Sequence, residues 1–235
     1  MITSNLVEKA EEINRTKLGK FNKTYKGTKV GIMGGTFDPI HSAHLATAEF
    51  IRDKYKLDKI IFIPSGNPPH KKNTIVNKYD RYEMVKLATM SNEDFIVSDM
   101  EIIRDKRTYT IDTLRDMKKE YDSIDIYFIT GADAICDIET WKNVEENFRL
   151  ATFIAATRPG ISKASTKEKI NDLRKKYSAN IIEVYVPSLD ISSTYIREKL
   201  KNNGSIRYLV PEEVREYIEC KKLYNNGDWK WITMI

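Results

Sequence analysis

The chain has 235 residues, is 41% hydrophobic and 31% charged, and carries a formal net charge of +5. That is chain enough for one large domain with its own core, and too apolar for disorder. No apolar run reaches the ~20 residues of a membrane span, the N-terminus lacks a signal peptide's apolar centre, and Cys136 and Cys220 are too isolated for a disulfide framework or a cysteine metal cluster, which together predict a cytoplasmic protein with no membrane partner.

Residues 1–27 hold six basic and three acidic side chains, so +3 of the +5 sits there and the other 208 residues are nearly neutral. A near-neutral body argues against a nucleic-acid partner, which needs a basic stripe. Leu6, Val7, Ala10 and Ile13 share a face of a short amphipathic helix predicted over residues 4–18, and GKFNKTYKG after it reads as a basic linker. Residues 1–27 are therefore expected to form an extension ahead of a domain over 28–224, and residues 225–235 a tail holding two of the three Trp. From Thr28 on, apolar runs at 29–33, 59–64, 95–99, 125–130, 151–156 and 181–186 alternate with segments whose apolar residues recur every three or four positions. Most runs are apolar on both faces, as in a parallel sheet covered on each side. The pattern predicts an α/β fold, a doubly wound, Rossmann-like and mostly parallel sheet with helices on both faces.

The segment VGIMGGTFDPIHSAH carries the strongest chemical signal. Gly34 and Gly35 end the first run at the carboxyl edge, where open α/β sheets bind ligands and a glycine backbone approaches phosphate closely. Thr36 and Phe37 follow, then His41 and His44, three residues apart at a helix start whose dipole favours an anion. Neither the dinucleotide nor the P-loop fingerprint is present. The only other histidine is His70, and the spacing is not that of a zinc site. On residues alone, a plain turn followed by polar helix-start residues explains the segment about as well.

Later segments add candidates at the same edge. IPSGNPPHKK places His70, Lys71 and Lys72 on a proline-stiffened loop, either a solvated basic loop or a clamp on a triphosphate. In ITGADAICDIETW, Gly131 turns the chain, Asp133 is placed to accept from a ribose hydroxyl, and Trp141 reads as a core residue or as a platform for a flat ring. ISSTYIREKL offers Ser192, Ser193 and Thr194 as cap and hydroxyl donors, with Arg197 one turn on toward the same anion; simple helix capping is the alternative. The RPG turn at 158–160 stands beside base or ribose in the same reading.

GGTFDPIHSAH resembles the GGTFDPxHxGH signature of the nucleotidyltransferase superfamily that shares its H-x-G-H motif with class I aminoacyl-tRNA synthetases, with Ala43 in place of the glycine. The ordered set GGTFDPxHxxH, NPPHK, RTYTIDTL, GADA…TW, RPG, ISSTYIRE and KKLY, spanning about residues 28–224, resembles the bacterial nicotinate-nucleotide adenylyltransferases. The resemblance implies adenylyl transfer from ATP to nicotinate mononucleotide, giving deamido-NAD and pyrophosphate in NAD biosynthesis, with Mg²⁺ bound alongside ATP and no protein metal ligand. It implies catalytic roles for His41, His44 and Arg197. ATP and phosphate contacts would come from Gly34, Gly35, Thr36, Phe37, Lys71, Gly131, Asp133, Ser193 and Thr194, and nicotinate mononucleotide contacts from Tyr109, Thr110 and Trp141. A nucleotide sensor without turnover and a nucleic-acid binder using the basic leader are the rival classes; pyrophosphate release separates the first, retention of DNA or RNA the second.

Overall fold

The computed structural model describes residues 2–67, 76–157, 163–187 and 189–224. His70, Lys71, Lys72, the 158–160 turn and the 225–235 tail lie outside the described residues.

The six apolar runs become the strands β1 (Lys29–Gly35), β2 (Lys59–Pro64), β3 (Phe95–Val97), β4 (Asp125–Gly131), β5 (Thr152–Thr157) and β6 (Ile181–Tyr185). They form one sheet in the order β3-β2-β1-β4-β5-β6, and every pairing is parallel. The alternation along β2 shows why the runs are apolar throughout. Ile60 and Phe62 face one core with Ile51, Met84 and Ile196, while Ile61 and Ile63 face the other with Leu114, Phe128 and Phe153. On the first face pack α2 (Ser42–Tyr55), α3 (Lys78–Thr89), α8 (Ser193–Lys201) and α9 (Glu212–Cys220); on the second pack α4 (Thr110–Glu120), α5 (Ala132–Cys136), α6 (Val144–Leu150) and α7 (Lys163–Tyr177). Chain order reverses between β1 and β4, which opens a crevice at their carboxyl ends. No helix among the described residues is long and apolar enough to cross a membrane.

Two expectations about local structure are corrected. The first concerns the leader. Its helix α1 (Ile2–Thr24) does not stop at residue 18 but runs through most of the segment read as linker. Its buried stripe is Ala10, Asn14, Lys17 and Phe21, so packing carries the helix across Gly19 despite that residue's poor propensity. Ala10 belongs to one core and Phe21 to the other, so α1 crosses the β3 edge of the sheet rather than hanging from it. The Asn14 amide donates to the Val97 carbonyl and accepts from the Val97 N–H, both at 2.9 Å, pairing the edge strand as a neighbouring strand would. Lys17 Nζ donates to the carbonyls of Thr89, Met90 and Asn92 at the end of α3, and desolvation lowers its pKa. The leader's charge is therefore partly structural. Asn14→Ala is expected to cost about 1–3 kcal/mol in urea unfolding, because both Val97 backbone groups lose their partner, and to leave turnover unchanged.

The second correction concerns residues 134–148, one of the segments whose apolar residues recur every three or four positions, as in a helix. Instead α5 ends at Cys136, a single 3-10 turn covers Ile138–Thr140, and Asn143 (φ 52°) precedes α6. The break leaves Trp141 extended (φ −76°, ψ 148°) at the carboxyl edge of the sheet. Glu139 anchors the turn to α7, accepting from Lys169 at 2.5 Å, Lys176 at 2.7 Å and the Tyr177 hydroxyl at 2.9 Å; these partners hold its carboxyl down at about 2.

Candidate active site

The site is built around the turn between β1 and α2. Gly34 pairs with Ile63 and Gly35 with Pro64, so both glycines sit at the carboxyl edge beside the end of β2. A Cβ on Gly35 would lie 2.9 Å from the Phe37 ring, which crosses directly over it; one on Gly34 would meet only Phe128, at 3.5 Å. Phe37 holds a left-handed backbone (φ 50°) that a non-glycine residue rarely adopts, and its ring is buried between Phe62 (6.0 Å) and, edge-on, His44 (5.1 Å). Phe37 thus shapes the turn from below.

His41 is the N-cap of α2 and 2% exposed; His44 stands one turn into the helix. Their rings stack at 3.6 Å between centroids. The His41 backbone N–H donates to His44 Nδ1 at 3.2 Å. In the neutral ring that bond leaves the proton on Nε2, so His44 is set as a donor on its outer nitrogen. Ala43, where the superfamily signature has glycine, is buried without distorting the helix.

The start of α8 docks onto the same turn. Ser192 caps the helix, accepting from Tyr195 N–H at 3.1 Å. Ser193 Oγ donates to the Pro39 carbonyl at 2.9 Å, and Arg197 Nη1 donates to the Asp38 carbonyl at 2.8 Å while its Nη2 reaches Thr194 Oγ1 at 3.1 Å. Arg197 and both histidines are therefore brought to one turn, from opposite ends of the chain.

Beside this turn, across the β1–β4 crevice, lies a cavity of about 460 Å³. Its floor and walls include Gly34, Gly35 and Thr36 from β1 and its turn, Phe128 and Thr130 from β4, and Tyr109, Thr110 and Trp141. Trp141 meets Phe128 edge-on at 6.2 Å and keeps one side toward the cavity, so it serves both readings, core contact and aromatic wall. Gly131 and Asp133 stand at the end of β4 outside this lining; the Asp133 carboxylate folds back so that a Cβ on Gly131 would come within 2.2 Å of it. Lys71 lies outside the described residues.

Several residues at the site were not singled out from sequence. Glu101 lines the cavity, accepts from Thr113 Oγ1 at 2.6 Å, and is pushed above the usual carboxyl range by burial. Lys142 lies 4.7 Å over the Tyr109 ring and 3.3 Å from Asp112 at the cavity's rim. Arg81, on α3, is fully buried and donates to the carbonyls of Thr36 (2.5 Å), Ser65 (2.6 Å) and Gly66 (3.2 Å), tying the end of β1 to the end of β2. Glu101 and Lys142 left no pattern to find. Arg81 did: it shares a helical face with Met84, Val85 and Ala88, a charge on an apolar stripe.

Comparison with known proteins bears on this arrangement. The Cytidylyltransferase-like family model matches residues 32–199. A probable nicotinate-nucleotide adenylyltransferase of Thermoanaerobacter sp. is 50% identical over 202 residues, covering 85% of this chain and 96% of that protein. One from Moorella thermoacetica is 50% identical over 198 residues, covering 83% and 91%. The solved structure of Plasmodium falciparum nicotinic acid mononucleotide adenylyltransferase complexed with NaAD superposes with a TM-score of 0.69 at 23% identity, over 84% of this chain and 97% of that one, a likeness of fold. With identity of this order over nearly the whole length of its relatives, the chain belongs to the nicotinate-nucleotide adenylyltransferase family.

Proposed function

We propose that the protein transfers the adenylyl group of ATP to nicotinate mononucleotide, forming deamido-NAD and pyrophosphate in NAD biosynthesis. The observation that carries this reading is the adjacency of the 460 Å³ cavity walled by Trp141, Tyr109 and Thr110 to a turn bearing Gly34, Gly35, Thr36, His41 and His44. The first suits a flat ring and the second suits phosphates. Likeness to relatives named for this activity supports it.

The nucleophile is a phosphate oxygen of nicotinate mononucleotide, already anionic near neutral pH. It attacks the α-phosphorus of ATP, the bond to the bridging oxygen breaks, and pyrophosphate leaves with the electron pair. No side chain has to remove a proton, so catalysis rests on alignment and on stabilising charge. His41 and His44 serve the triphosphate and the transition-state charge, His44 through its outer N–H. Thr194, Ser193 and Arg197 hold the departing pyrophosphate, with Lys71 assisting, while Thr36 and Phe37 orient the reacting phosphates through the turn. Gly131 and Asp133 serve the ATP ribose from the end of β4. Tyr109, Thr110 and Trp141 hold the pyridine ring.

Mg²⁺ accompanies ATP as its counter-ion. Mg²⁺ ordinarily binds through substrate phosphates and keeps several waters, and held in that way it would neutralise charge on the triphosphate. The cytoplasmic assignment rests on the free, isolated Cys136 and Cys220.

One assay tests the reading: purified protein with ATP and Mg²⁺, offered nicotinate mononucleotide and nicotinamide mononucleotide side by side, with pyrophosphate release followed. Release with the acid substrate well above the amide is expected. Preference for the amide refutes the substrate assignment, and silence with both refutes the reaction.

A further inference from the structure

The last described residues reach back to the turn that carries the histidines. After α9, Lys222 and Tyr224 both take left-handed backbones (φ 53° and 64°), uncommon for non-glycine residues and sustained only where surrounding contacts compensate. Their effect is to drive the Tyr224 ring inward until it is 6% exposed. Its hydroxyl donates to Asp38 Oδ1 at 2.8 Å, in a fully buried hydrogen bond across 186 residues of sequence. Burial and the neighbouring Asp38 charge raise the Tyr224 pKa, so the phenol stays protonated and remains the donor.

Asp38 belongs to the turn three residues before His41 and two after Thr36. Arg197 holds the same residue by its carbonyl. The backbone of Asp38 is thus fixed from α8 and its side chain from the C-terminal turn. We infer that Tyr224 is a positioning residue for the reaction: through the Asp38 side chain it sets the turn that aims Thr36, His41 and His44 at the phosphates. It touches no substrate. The inference rests on the adenylyl-transfer reading.

A matched control lies on the same segment. Tyr217, on α9, is likewise a buried ring and donates to Asp80 Oδ1 at 2.7 Å in a partly buried bond, but Asp80 is on α3 and not in the turn. Tyr224→Phe and Tyr217→Phe each remove one hydroxyl bonded to a carboxylate and keep the ring, so both melting temperatures should fall. If Tyr224 positions the turn, Tyr224→Phe lowers kcat about 10- to 100-fold with KM for both substrates within about twofold, since small misplacements of reacting groups cost rates of that order. Tyr217→Phe keeps kcat within about twofold. Equal kcat for Tyr224→Phe and wild type overturns the inference, and so does an equal loss in Tyr217→Phe.

A second readout does not depend on turnover. The chain has three histidines, so the imidazole nitrogens of His41 and His44 can be followed by NMR in the full-length protein. Tyr224→Phe should shift the His44 ring nitrogens and Tyr217→Phe should not; unmoved His44 signals overturn the positioning role. A wild-type protein silent in the assay would remove the adenylyl-transfer reading, while the NMR comparison still decides whether Tyr224 orders the turn.

Discussion

His44→Ala is expected to slow pyrophosphate release roughly 10²–10³-fold, about 2.7–4 kcal/mol of transition-state stabilisation, the typical loss when one preorganised donor is removed from a site that stabilises developing charge. The donor is preorganised in the structure. The His41 backbone N–H occupies Nδ1, the His41 ring stacks on one face and Phe37 meets His44 edge-on, so tautomer and ring plane are both set before substrate arrives. A flexible lysine at the same place would have to lose that freedom on binding. The expected split is a fall in kcat with a smaller change in KM for ATP, because the bond strengthens as charge develops on the phosphates. His41→Ala is expected to fall in the same range, and the double variant by less than the product, since the two rings act as one stacked unit. Steady-state kinetics on folded variants with unchanged circular dichroism checks this. Pyrophosphate release by His44→Ala near the wild-type rate would remove the histidine from the chemistry.

How much of this was legible in the sequence follows from the range of each interaction. Strands and most helices declared themselves because their signal is local: Ile60 to Ile63 must be apolar whichever face each one meets. The turn at Gly34 and Gly35 was legible for the same reason, as a run of special residues read without knowing any partner. What failed was decided by partners far away in sequence. Asn14 and Lys17 look like solvent-facing residues of a leader; they are buried because Val97, Thr89 and Asn92 offer backbone groups that nothing in residues 1–27 announces. Trp141 lies in a segment of helical spacing, yet Glu139, held from α7, and the left-handed Asn143 break that helix and turn the indole to the cavity. The site's chemistry was therefore more legible than its scaffolding. The residues of the β1–α2 turn carry a motif, whereas those that hold the turn leave at most a local cue, such as the charge of Arg81 on an apolar stripe, whose partners only the fold supplies.

Arg81 is the clearest of the holding residues, and Arg81→Met is expected to cost about 3–5 kcal/mol of folding stability, a large share of the 5–15 typical of a domain. The guanidinium is completely buried, and desolvation lowers its pKa against the opposing charges of Asp38 and Glu101. Burying a cation is ordinarily costly unless its donors are matched. Here it is retained because three carbonyls that end β1 and β2, those of Thr36, Ser65 and Gly66, converge on it and have turned away from sheet pairing. Methionine matches the stem but leaves all three acceptors dry, at about 1–3 kcal/mol for each that water cannot reach. Gly66 adds a constraint: a Cβ there would lie 2.0 Å from the Glu101 carbonyl, so the β2 end cannot relax in that direction. Arg81→Lys tests the fork separately from the charge. A point ammonium on a flexible stem satisfies one or two of the carbonyls, so an intermediate loss is expected in urea unfolding. If Arg81→Met unfolded within about 1 kcal/mol of wild type, the carbonyls would have found other donors and the clamp would hold nothing. If methionine and lysine lost equally, the planar geometry of the guanidinium, and not its charge, is what joins the two strand ends beneath the β1–α2 turn.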